Sequence, residues 1–211
     1  MPPIPAHDLR SNIATWAIPT PAVPAVARIL TSSYPPERFD PGFQGQGLKT
    51  YYFDTRDFAL RKARARSNQY LTLRLRCYKP GNTYALSAKT ENQKYRVPVS
   101  RDDAEAAIAG TFGSLWSAYL PADLLARLLD IASQDPVICA VKVCCTRYAV
   151  ENPQDRLTLD MDVRTDTGKC LRTNVLEFKS NRQDPTPPDS LLSLGLRPMK
   201  LSKFLWATLW R

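Results

Sequence analysis

The sequence holds a single histidine, His7, and it lies in a proline-rich opening stretch. That scarcity removes the Ser-His-Asp and Cys-His triads and argues against a zinc centre. Its five cysteines, Cys77, Cys139, Cys144, Cys145 and Cys170, form no Cys-x-x-Cys pair and are odd in number. With no basic-then-apolar leader at the N-terminus, the pattern reads as reduced thiols in a cytoplasmic protein. No apolar run reaches the length of a membrane span, which leaves a membrane only as the place of a partner. Internal repeats are absent, and low complexity is confined to proline patches. Gly42 to Thr50 (Gly-Phe-Gln-Gly-Gln-Gly-Leu-Lys-Thr) misses a phosphate loop by one residue, Leu48, and no strand directly precedes it. It reads as a flexible connection.

Acids are scarce in one long stretch. From Lys49 to Arg101 thirteen Lys and Arg face only Asp54, Asp57 and Glu91, within a chain of formal charge +9. Such an excess favours a polyanion: phosphate chains, nucleotide or nucleic acid. Nucleic acid is the weakest of these, because Tyr51, Tyr52 and Phe53 read as core and not as a base-stacking platform. At 211 residues the chain fits one domain, 1–211, with residues 1–8 as a loose arm.

Leu71 to Tyr78 alternates without a break, placing Thr72, Arg74 and Arg76 on one face of a strand and Leu71, Leu73, Leu75 and Cys77 on the other. Similar runs are Leu9 to Ile18, Lys49 to Thr55, Asn82 to Thr90, Lys94 to Val99, Cys144 to Val150, Arg156 to Asp162 and Asn174 to Ser180. Helices are predicted from Pro21 to Ser33, after Ser100 over 101–109, and from Pro121 to about Ser133, with a helical turn from Phe58 to Arg66. That turn carries Arg61, Lys62, Arg64 and Arg66, either a solvated face or a basic lip. An aromatic tail, Phe204, Trp206 and Trp210, reads as a docked helix. The expected class is α+β, mainly antiparallel β: a polar-lined barrel with helices outside.

Together these strands supply Arg74, Arg76, Lys89, Arg147, Arg156 and Lys179 as cations, joined by the closing Lys200 and Lys203. Asp160, Asp162 and Glu177 are the carboxylates. A chain of phosphates needs many cations at close intervals, Arg as a planar fork and Lys as a point charge.

The motifs Tyr51-Tyr-Phe-Asp-Thr55, Leu73-Arg-Leu-Arg-Cys-Tyr78, Leu86-Ser-Ala-Lys89, Thr146-Arg147-Tyr-Ala149, Arg156-Leu-Thr-Leu-Asp160, Leu176-Glu-Phe-Lys179 and Ser202-Lys203-Phe204 occur in this order. The chain, from about residue 9 to 206, thereby resembles the VTC domain, the polyphosphate polymerase branch of the CYTH-like triphosphate tunnel metalloenzymes. The resemblance implies a closed tunnel of eight antiparallel strands with helices packed outside. It implies transfer of the ATP γ-phosphoryl group to a growing inorganic polyphosphate chain, with Mn2+ or Mg2+ in the tunnel. By motif, Arg74, Arg76, Lys89, Arg147 and Glu177 form the catalytic set and Glu177 is the metal ligand. Phosphate binding extends to Lys94, Arg156, Lys179, Lys200, Ser202 and Lys203, with Arg96 as the alternative to Lys94. Two places depart from the pattern: Ile13 and Thr15 stand where the first strand carries a Glu and a Lys, and Ser87 replaces the acid of the middle Glu-x-Lys. Metal-dependent hydrolysis of tripolyphosphate, and a tunnel that binds polyphosphate or nucleotide without turnover, are the alternatives.

Overall fold

The computed structural model describes residues 11–37, 42–66, 71–79, 81–90, 94–110 and 112–209. The side chains of residues 11–12, 64–66 and 112–115 lie outside that description, as does the arm expected over residues 1–8.

Strand β1 (Ser11–Ile18) leads through a 3-10 turn into α1 (Val23–Ser33). Next come β2 (Gln46–Thr55), α2 (Ala59–Arg66), β3 (Thr72–Tyr78), β4 (Thr83–Lys89) and β5 (Lys94–Val99). Three helices follow, α3 (Arg101–Ala109), α4 (Phe112–Tyr119) and α5 (Ala122–Gln134). The chain then returns as β6 (Val137–Glu151), β7 (Asp155–Thr165) and β8 (Asn174–Ser180), and ends in α6 (Asp189–Leu192), the two-residue β9 (Arg197–Pro198) and α7 (Lys203–Thr208). The strands form one antiparallel sheet of nine in the order β5-β4-β3-β2-β6-β7-β8-β1-β9. The antiparallel α+β expectation holds. The eight closed strands that the resemblance implies become nine here, and the order has two ends, β5 and β9.

The chain divides into two compact units, the first comprising residues 49–143 with the chain end and the second residues 9–48 and 144–206. In the first, Leu73, Leu75, Leu86 and Ala88 turn one face of β3 and β4 to a core completed by Ala104 and Ala107 of α3, Trp116 of α4 and Leu128 of α5. Phe53 of β2 joins this core and meets the Trp116 ring edge-on at 6.1 Å, so the aromatic run is core, as its β propensity suggests. The Ser100 hydroxyl accepts the Asp103 amide at 3.1 Å and starts α3; Gly110, at φ 103°, ends it in the left-handed conformation glycine adopts without cost. Asp54 accepts the Leu60 and Arg61 amides at 2.8 and 2.9 Å and so fixes the start of α2 on the end of β2.

In the second unit the apolar faces of β1, β7 and β8 present Trp16, Ile18, Leu157, Leu159, Leu176 and Phe178 to Val26 and Leu30 of α1 and Leu191 of α6. Because side chains alternate along a strand, the opposite face of both units is left to polar residues. In each unit the helices named here cover one face of the strands, and charge lies on the other.

Gly45 sits at φ +84°, and a Cβ there would lie 2.7 Å from Cζ of Tyr148 and 2.9 Å from Cγ2 of Thr146. Phe43 packs its ring 5.2 Å from that of Tyr148. The glycine-rich stretch is thus shaped by close packing on β6, and Lys49 belongs to β2.

Candidate functional site

The residues expected to handle phosphate fall into two groups, one in each unit. In the first unit the register of β3, β4 and β5 sets Arg74 opposite Ser87 and Ser87 opposite Arg96. One step along, Thr72 pairs with Lys89 and Lys89 with Lys94; in the other direction Arg76 stands opposite Ala85. Arg74, Arg76, Lys89, Lys94 and Arg96 therefore share the face that the core does not use, and β3, β4 and β5 contain no acid at all. Lys94 and Arg96, alternatives by sequence, both belong to it.

This patch is organised by a neutral group. The Tyr78 hydroxyl oxygen accepts from Nη2 of Arg96 at 2.7 Å and from Nη1 of Arg76 at 3.4 Å, and the Arg96 guanidinium lies 5.3 Å from the Tyr78 ring centre. A phenol steers two guanidiniums without cancelling their charge. Ser87, 2 % exposed, has no hydrogen-bond partner for its hydroxyl, and it stands where the resemblance expects a carboxylate. With Ser87 there, the strands of this face hold no acid. Sequence reading noted Ser87 as a lost acid but gave Tyr78 no role, although the alternation placing it beside the arginines was visible.

In the second unit Thr15, Thr158 and Glu177 line up across β1, β8 and β7, with Arg156 opposite Lys179 and Asp160 opposite Val175. Asp160, fully buried, takes Nε and Nη2 of Arg147 on its two oxygens at 2.6 Å each. Lys203, reaching from α7, places Nζ 2.7 Å from Oδ2 of Asp160 and 3.4 Å from Oε1 of Glu177. Lys179 lies 3.6 Å from Oε2 of Glu177. Burial alone would push the Glu177 carboxyl up, but Lys203 and Lys179 outweigh it and hold the group well below the usual carboxylate range. Asp160 is likewise held down by Arg147 and Lys203 against the opposing pull of burial. Burial also works against the Lys203 charge, yet the two carboxylates raise its pKa above the ordinary lysine value.

Arg147, Glu177, Lys179 and Lys203 are thus brought together around Asp160, which sequence reading counted only among the carboxylates able to hold a metal. Arg156 is directed elsewhere: Nη2 donates to Glu37 at 2.7 Å and Glu151 lies 3.9 Å from Nε. The Ser202 hydroxyl accepts the Leu205 amide at 3.4 Å as the cap of α7, and Lys200 is exposed. In α2, Arg61 donates to the Thr208 carbonyl at 2.7 Å and Lys62 pairs with Asp57 at 3.3 Å. The five cysteines are free thiols.

Among the described residues no three His, Cys, Asp or Glu cluster as a ready metal site. Nor is any helix there long and apolar enough to cross a membrane.

No family model and no curated protein matches this chain. Solved structures do. A protein from Hippeastrum, described as a candidate adenylyl cyclase with a dominant triphosphatase activity, superposes with a TM-score of 0.61 at 15 % identity over 93 % of this chain and 94 % of its own. A candidate adenylate cyclase from Bacillus halodurans reaches 0.57 at 14 % identity, covering 86 % and 83 % of the two chains. Another from Vibrio parahaemolyticus reaches 0.53 at 12 %, covering 90 % and 92 %. The chain shares its fold with these three proteins. At these identities the likeness concerns the fold alone, and it does not point to a polyphosphate polymerase.

Proposed function

We propose that this protein binds linear triphosphates on the cationic face of β3, β4 and β5 and hydrolyses their terminal phosphoanhydride bond. The observation that carries the reading is five cations on one sheet face whose three strands hold no acid. A polyanion laid along such a face gives each guanidinium or ammonium charge-assisted hydrogen bonds. Arg74 and Arg96 flank the small Ser87 and would each grip phosphate oxygens with a fork, while Lys89 and Lys94 add point charges at the neighbouring register position. The triphosphatase activity ascribed to the Hippeastrum protein supports hydrolysis over synthesis.

The second unit carries an acid pair of its own, Asp160 and Glu177, among Arg147, Lys179 and Lys203. Its fit to a divalent cation rests on Lys203, whose single ammonium already touches both Asp160 and Glu177, so the two carboxylates lie close enough for one cation to bridge. Their hard oxygens suit Mg2+ or Mn2+, with Glu177 as the protein ligand and the remaining positions left to water and phosphate oxygens. Bound there, the ion would withdraw charge from the phosphorus of a triphosphate gripped by Arg147, Lys179 and Lys203 of the same unit. Arg147 spends Nε and Nη2 on Asp160, which orients the carboxylate and leaves Nη1 for a phosphate oxygen. Lys203 and Lys179 neutralise charge as the bond breaks.

Polyphosphate synthesis from ATP is the second reading, carried by the order of the seven motifs. One assay separates the two. Pure protein with Mn2+ or Mg2+ is given tripolyphosphate or ATP, and released phosphate and chain length are followed together. Phosphate release without longer chains is expected; chain extension from ATP would establish the polymerase, and neither product with intact binding would leave a pure binder.

A further inference from the structure

All four oxygens of the acid pair meet cations that belong to the chain itself. Asp160 is held by the Arg147 fork on both oxygens and by Lys203 on one, while Glu177 has Lys203 at 3.4 Å on one oxygen and Lys179 at 3.6 Å on the other. Three cations therefore face two carboxylates. A divalent ion added to this arrangement would find no carboxylate oxygen clear of a positive group, and it would join an excess of positive charge. We infer that the ammonium groups of Lys203 and Lys179 fill, on the acid pair, the place a divalent cation would take. Without bound phosphate the chain excludes the metal.

The three cations are not equivalent. Arg147 is a bidentate fork, only 7 % exposed, and its geometry commits it to Asp160. Lys203 and Lys179 are point charges on flexible four-carbon stems, and their contacts with Glu177 are long. They are the groups a phosphate chain can draw away, since its oxygens offer more charge than one carboxylate. Phe204, 2 % exposed, anchors α7 beside Lys203, so the side chain can swing while the helix stays. Release of Glu177 then opens an oxygen to the metal. By linkage, metal and phosphate must each favour the binding of the other.

This inference rests on the triphosphate reading, but its test contains no phosphate. Mn2+ is titrated into the pure full-length chain in the absence of any phosphate, and free Mn2+ is read by electron paramagnetic resonance. Wild type is expected to bind weakly and Lys203→Gln at least about tenfold more tightly, because a unit charge within a few ångströms is removed. Lys179→Gln, more exposed and farther from its Glu177 oxygen, should gain in the same direction by less. It carries the comparison should Lys203→Gln not fold. Adding Glu177→Gln to either variant should abolish the gain. Tight Mn2+ binding by wild type without phosphate, or no gain in either variant, would overturn the inference. A protein that gains Mn2+ as described yet releases no phosphate from tripolyphosphate would instead refute the hydrolase reading.

Discussion

Arg147 and Asp160 are the most consequential pair in the chain, because both are buried and each has its charge satisfied mainly by the other. Removing one partner strands the other in a medium that solvates it poorly. Arg147→Met should lower unfolding stability by about 3–5 kcal/mol, read as a shift in the urea midpoint. The pH behaviour follows from the direction of the carboxyl shifts. Asp160 and Glu177 are held below their ordinary values in the folded chain, so their contribution is fully present above the unfolded values near pH 4 and is lost as acid takes the pH toward the folded ones. Stability attributable to this network should stay level from about pH 8 to 5 and decline only below about pH 4, a course that urea melts across pH would trace. The sequence displayed these charges but not their partners. Arg147 and Asp160 lie thirteen positions apart and Lys203 and Asp160 forty-three, and only strand pairing and the turn into α7 make them neighbours.

The elements themselves were largely readable where alternation or capping is local. β3 keeps strict alternation, and α3 announces itself through Ser100 and Asp103. β6 starts at Val137, where three strands were expected to return over Val137 to Lys179, but it runs unbroken for fifteen residues past the alternating Cys144 to Val150, its first half belonging to a different unit and core from its second. Helix α4 escaped notice: most of Phe-Gly-Ser-Leu-Trp-Ser-Ala-Tyr is weakly helix-forming, and burial of Trp116 carries it. The two residues of β9 pair with Trp16 and Ala17, too short a run to show periodicity. The glycine-rich connection yields an element-scale prediction. Gly45→Ala would strain a left-handed backbone and press a methyl onto Tyr148, so a loss of roughly 1–3 kcal/mol is expected in thermal melts, whereas Gly168→Ala, with open space beside it, should bear only the backbone cost.

For the whole molecule the governing quantity is charge: +9 overall, with one sheet face bearing five cations and no acid in its strands. Anion binding to such a face must weaken with salt and must stabilise the folded chain. Tripolyphosphate at about a hundred times its dissociation constant should add about 2.7 kcal/mol, roughly 5–10 °C in melting temperature, and inorganic phosphate should do less. What chemistry follows binding was less legible than binding itself, since the same cations serve a hydrolase, a polymerase or a receptor. The most direct measurement is calorimetric titration of tripolyphosphate into wild type, Arg74→Gln and Arg76→Gln at fixed ionic strength. Each substitution removes a charge-assisted contact and should weaken binding about ten- to a hundredfold with no loss of melting temperature. Unchanged affinity in both variants would contradict the assignment of this sheet face to phosphate.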